Sequence, residues 1–179
     1  MKKIQLRITK TALPINSLIE KSFPRFDYAD AYVCKFGTNK QITTDDLVFA
    51  FFDSGPKWVV TLFYLRNSIA KVFGLKAPGT DDLDALRKNI KVEKGNGLGL
   101  FKVLDKTADE VLLGEDDKHL NFRLSFFLCN DELTKTNTFI LSTTVLMNNR
   151  LGKLYFLFVK PFHNIIVPTI MKEIVNKTV

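Results

Sequence analysis

Apolar and polar residues alternate along "KIQLRIT" near the start of the chain, with Ile4, Leu6 and Ile8 on one side, a period of two that predicts a short strand. After Pro14, "INSLIEKSF" has the spacing of a brief helix. Residues 27–36, "DYADAYVCKF", return to strand periodicity and place Tyr28, Tyr32, Cys34 and Phe36 on one side. "TTDDLVFAFFDSG" opens a helix: Thr44 can cap it, and Asp45 and Asp46 suit the partial positive charge at a helix start. Gly55 ends that helix, and Pro56 begins another over 56–74. There Trp58, Leu62, Leu65, Ile69 and Phe73 recur at helical spacing before Gly74.

Residues 76–97 are polar, with a short helix predicted at "TDDLDALRKNI". "KGNGLGLF" then leads into a strand, so its glycines form a turn and not a dinucleotide fingerprint, which opens a helix. From there the period is two. "LGLFKVLD", "EVLLG", "HLNFRLSFFL" and "TNTFILSTTVLMNN" predict four consecutive antiparallel strands. The terminal "LGKLYFLFVKPFHNIIVPTIMKEIVNK" is long and apolar, but Lys153, Lys160, His163 and Lys172 interrupt it, and Pro161 and Pro168 each remove a backbone donor. It predicts a kinked helix packed on the sheet, not an integral membrane segment. A last strand at "LYFLFVK", with Pro161 starting the helix, is the alternative for 151–160.

The elements sum to an α+β fold: a curved antiparallel sheet wrapped around a long C-terminal helix, with two or three helices inserted after an early strand. At 179 residues, 1–179 fits a single domain that buries roughly 70% of its unfolded surface. Sixteen Phe against one Trp point to a large, imperfectly filled apolar interior. The formal charge of +7 permits attraction to anionic partners. Its cations are scattered, as at Lys71, Arg87, Lys88 and Lys172, and form no basic stripe with interleaved aromatics, which argues against nucleic acid. Cys34 and Cys129, each in an apolar run, read as small buried hydrophobes. Arg7 and Lys10 interrupt the apolar N-terminus and no small-residue cleavage site follows, so the expected location is the cytoplasm.

The order of elements resembles the helix-grip fold of the START/SRPBCC superfamily. Four segments are similar to an uncharacterised bacterial domain-of-unknown-function family of that type. They are "DYADAY" at 27–32, "PKWVVTLFYLRNSIAKVFGL" at 56–75, "GEDDKHLNFRLS" at 114–125 and "LGKLYFLFVKPFHNIIVPTIM" at 151–171. The resemblance implies a cavity between sheet and C-terminal helix. Elsewhere the family is fused to short-chain-dehydrogenase-like NAD(P)-binding domains. This chain has no strand–GxGxxG–helix unit, so no cofactor is carried over.

Candidate chemistry concentrates in a few places. In "GEDDKHLNF", Glu115, Asp116, Asp117 and His119 read either as a metal or acid–base site or as a solvated hairpin tip. Consecutive ligands seldom converge, which favours the tip. Beyond it, Leu120, Phe122, Leu124, Phe126 and Leu128 share the face that meets the helix. His119, Asn121, Arg123 and Ser125 share the other, expected in water. Arg66 either lies along its helix or enters the cavity to hold a carboxylate or phosphate. His163 could act as a base or donate to a backbone carbonyl, and no nucleophile stands beside it. The expected ligand-binding set is Trp58, Leu62, Arg66, Phe122, Phe126, Tyr155, Phe162 and His163, with no catalytic residue and no metal. The leading function is non-catalytic binding of a hydrophobic or amphipathic small molecule, with 76–97 as a lid. The alternatives are a small cyclase, dehydratase or isomerase using the same cavity, and a membrane-surface or protein-interaction module.

Overall fold

A computed structural model describes residues 6–53, 91–98, 101–131 and 133–179. The helix expected over 56–74, the short one at 80–90, most of the 76–97 stretch, and with them Trp58, Leu62 and Arg66, lie outside the described residues.

The strands are β1 (Ile8–Thr11), β2 (Tyr28–Gly37), β3 (Gly97–Leu98), β4 (Phe101–Lys106), β5 (Glu110–Asp116), β6 (Leu120–Asp131) and β7 (Thr136–Met147). They form one sheet in the order β1-β2-β7-β6-β5-β4-β3, every neighbouring pair antiparallel. The strand expected at 98–105 divides into β3 and β4, and the β4–β5 register shifts between Val103 and Asp105. Such an irregularity bends a strand and increases its twist.

Helix α1 spans Thr44–Asp53. Its cap is Thr43, one residue before the expected Thr44. The Thr43 Oγ1 accepts from the Asp46 amide at 3.3 Å, and the Asp46 carboxylate accepts from the Thr43 amide at 2.8 Å. These are the reciprocal bonds of a capping box. Helix α2 spans Arg150–Thr178, so 151–160 are helical and the strand alternative is set aside. The reason lies just upstream, where Asn149 accepts from the Gly152 amide at 3.0 Å and starts the helix before the apolar run. Pro161 and Pro168 then fall inside the helix, where each removes one i to i−4 bond.

Both helices pack on one face of the sheet, the inner face. Alternation brings Tyr32, Cys34 and Phe36 from β2, Leu124, Phe126 and Leu128 from β6, and Phe139 and Leu141 from β7 to that side. They meet Leu47, Val48 and Phe51 of α1 and Val167, Ile170, Met171 and Ile174 of α2. Phe51 stands edge-on to Phe126, 5.3 Å between centroids, and Phe126 stacks on Phe139 at 6.2 Å. Here the expected apolar row of β6 meets its helix.

The opposite, outer face departs from expectation. Arg123 is 8% exposed and Ser125 fully buried, although their row was expected in water. The cause is the segment from Pro14 to Phe26, which forms turns across this face and not the expected helix. Asn16 sits at φ 61°. Ser17 donates to the Pro14 carbonyl at 2.6 Å, and Glu20 accepts from the Asn16 amide at 2.6 Å. Side chains thus occupy backbone groups that a helix would use. Glu110 fastens the segment: its buried carboxylate accepts from the amides of Leu18 (2.5 Å) and Ile19 (3.1 Å) and from the Ser125 hydroxyl (2.6 Å). The Arg123 guanidinium lies 4.3 Å above the Phe23 ring and bonds Asp116 at 2.7 Å.

Candidate functional site

Strand alternation brings Tyr28, Asp30 and Tyr32 of "DYADAY" to the inner face, and pairing extends each into a row across the sheet. Tyr28 is opposite Val145, which is opposite Phe122; Asp30 leads to Thr143 and Leu124; Tyr32 leads to Leu141 and Phe126. α2 lays His163 and Asn164 over the β2 end of these rows. The His163 Nε2 stands 3.3 Å from each oxygen of Asp30. The Tyr28 hydroxyl donates to Asp30 Oδ2 at 2.7 Å. Tyr32 and Lys10 point donors at one acceptor, Asn164 Oδ1, each at 3.4 Å, while the single hydroxyl proton of Tyr28, also 3.4 Å from that oxygen, is already given to Asp30. One amide oxygen has two lone pairs, and 3.4 Å is beyond the usual range for such bonds. Both donors therefore reach their acceptor only at the limit of a hydrogen bond.

Burial, then the hydrogen bond to Asp30 and its negative charge, push the Tyr28 phenol well above its ordinary value. Tyr32 is also raised, by burial and then by Asp30, with Lys10 opposing. Both phenols are thus kept as donors. Beside Asp30, on the adjoining strand, Thr143 is 6% exposed, and its Oγ1 has no hydrogen-bond partner among the described residues. A buried hydroxyl without a partner is costly, so its presence on an interior face calls for an explanation. The apolar surroundings are aromatic: Phe156 packs on Tyr28 at 4.8 Å, and Phe101 stands edge-on to Phe122 at 5.7 Å and to Phe52 at 5.8 Å.

Of the expected ligand set, His163 joins this patch. Phe122 lies on the same face and is half-buried, and Phe126 is wholly buried in the core. Tyr155 is half-buried on α2, whereas Phe162 is 48% exposed on the side of α2 turned from the sheet. The acidic stretch resolves into a strand end and a hairpin tip. Asp116 pairs with Arg123, and the tip docks on the start of α2. Asn148 donates to the Asp117 carbonyl at 2.7 Å, Asn149 to the Lys118 carbonyl at 3.0 Å, and the His119 ring bonds Asn149. No group of three or more His, Cys, Asp or Glu able to hold a metal occurs among the described residues. Cys34 is buried, which raises its thiol, but Cys129 is exposed at the β6 end and is not the buried hydrophobe expected. A groove of about 410 Å³ beside Ile42, Phe49 and Lys177 lies at the far end of α2, and its Lys177 is paired with Asp53.

Asp30, Asn164 and Thr143 were not singled out from sequence. Asp30 carries a usable signal, since it lies midway between two tyrosines of one strand face. Thr143 carries none, because threonine is an ordinary strand residue.

A family model described as "Protein of unknown function (DUF2867)" matches residues 22–170. No curated protein and no solved structure matches the chain.

Proposed function

We propose that this chain, which belongs to the DUF2867 family of proteins of unknown function, binds an amphipathic small molecule between sheet and C-terminal helix. The observation that carries the reading is the orphan Thr143 hydroxyl beside Asp30, near the Tyr32 and Lys10 donors that Asn164 holds only at 3.4 Å. A ligand oxygen placed there would accept from Tyr32 or Thr143, while an apolar body would run along the row toward Phe122 and Phe101. Binding sites combine these features, an apolar wall with a few convergent polar groups. We read the architecture as a single START/SRPBCC-like helix-grip domain, supported by the place of β2 beside β7 and of α2 across the inner face. No cofactor is assigned, and the cytoplasm is the proposed location.

Native mass spectrometry of freshly purified protein, with organic extraction of what it releases, tests this. A stoichiometric adduct is expected. Thr143→Val should lower its occupancy while leaving the melting temperature unchanged or higher, because the variant removes an unpaired hydroxyl. An empty protein that also takes up no fatty acid or isoprenoid probe would sink the proposal.

The contact between His163 and Asp30 favours a second reading, a cyclase, dehydratase or isomerase. There Asp30 orients the ring and His163 moves a proton on the bound molecule. Incorporation of deuterium into the extracted ligand in heavy water, lost in His163→Gln, is the expected sign. A ligand that remains wholly unlabelled argues for binding alone.

A further inference from the structure

The two long sides of α2 are both apolar. One, with Phe156, Val167, Ile170 and Ile174, is buried against the sheet and α1. The other carries Leu151, Leu154, Leu157, Phe158, Phe162 and Ile165, all exposed, with Leu157 at 65% and Ile165 at 70%. Helical geometry, 100° per residue, gathers these six on the side turned from the sheet, over about four turns. Large contiguous apolar surface of this kind marks an interaction site.

Charge indicates what covers it. From Leu133 to Lys172 the sequence contains no Asp or Glu, while Arg150, Lys153, Lys160 and Lys172 lie on the helix that carries the stripe. Arg150 and Lys172 bracket the stripe and Lys153 lies on one flank, while Lys160 turns its ammonium toward the sheet, 5.5 Å from the Tyr28 ring centroid. Apolar residues bordered by cations, with the helix's own first carboxylate at Glu173 beyond Lys172, are complementary to an anionic lipid surface. A second copy placed on the same stripe would bring like charges together. By length and composition α2 could also cross a bilayer. Its anchorage argues against crossing: Asn149 is tied to the β5–β6 hairpin, His163 to Asp30, and the last three turns bury Ile170, Met171, Ile174 and Val175 in the core.

We infer that the outward face of α2 docks this protein onto anionic membrane surfaces, with the helix lying in the plane of the interface. The inference goes beyond ligand binding and holds whether or not the inner patch takes a small molecule.

Flotation of the full chain with phosphatidylcholine–phosphatidylglycerol vesicles, against phosphatidylcholine alone, tests it. Binding is expected on the anionic vesicles at low salt, with weaker binding on neutral ones. Phe158→Glu should reduce the bound fraction roughly tenfold or more, from loss of an inserted aromatic side chain. Lys153→Gln should reduce it about fivefold, with a shallower salt dependence. Ile165→Ser, a milder change at the most exposed of these positions, should weaken binding without altering the melting temperature. Absence of binding to anionic vesicles at low salt overturns the inference. So does binding that all three variants leave intact. A stripe-dependent dimer that ignores vesicles overturns it, as does unfolding of both the Phe158 and Ile165 variants, which would make the stripe part of the core.

Discussion

On the inner face of the sheet, Phe126 and Phe139 stack beneath Phe51, and two helices close over them through apolar contact. On the outer face a single carboxylate, Glu110, holds a run of turns by two hydrogen bonds and takes a third from Ser125 of β6, with Arg123 lying over Phe23. Apolar burial is non-directional and tolerates small shifts of its parts. Hydrogen bonds to a buried carboxylate are directional, and leaving their donors unmatched is expensive. The inner layer therefore derives its stability from area, and the outer layer its position from a few atoms.

Five substitutions would break or sharpen this contrast. Phe126→Ala should cost about 4 kcal/mol in urea denaturation, from lost burial plus a cavity, and lower the whole transition together. Glu110→Ala should cost about 3 kcal/mol by stranding two amides and a hydroxyl. It should also expose the chain to trypsin at Lys21 and Arg25 before global unfolding. Glu110→Gln should cost less, since its amide oxygen still accepts. If both alanine variants gave the same single transition with no early cleavage, the two layers would be one cooperative unit. Asn149→Ala removes the α2 cap and should cost about 1 kcal/mol in the same assay. Tyr28→Phe should have the smallest effect at neutral pH and the clearest signature in alkali. The folded protein holds the Tyr28 proton more tightly than an unfolded chain does. Its contribution is therefore complete below about pH 10 and is lost as pH rises above that. Melting temperatures from pH 8 to 11 should fall less steeply in the phenylalanine variant.

Much of the inner face is legible in sequence because period alone sorts residues there: Tyr28, Tyr32, Cys34 and Phe36 on β2, and the β6 row from Leu120 to Leu128. The outer face is not legible. Nothing local in "INSLIEKSF" announces that Ser17, Asn16 and Glu20 will take backbone partners, or that Glu110, 91 residues from Ile19, will bind its amide. The site divides in the same way. His163 and the tyrosines stand out by type and spacing, but the Asp30 that meets His163 lies 133 residues away. Thr143 becomes notable only through the β2–β7 register.

One further consequence follows from Gly152. A Cβ at that position would overlap the carbonyl of His119, so the first turn of α2 comes this close to the hairpin tip only with Gly152 turned toward it. A helix is close to a cylinder and could otherwise roll over an apolar sheet at little cost. Fixing the angle at Gly152 fixes the phase of every later residue, so His163 arrives facing Asp30 and Phe158 arrives facing away. A roll of 100° would exchange neighbours and bring Phe162 to the place of His163. A side chain that is missing at one end of the helix thereby sets the compass bearing of both its working faces.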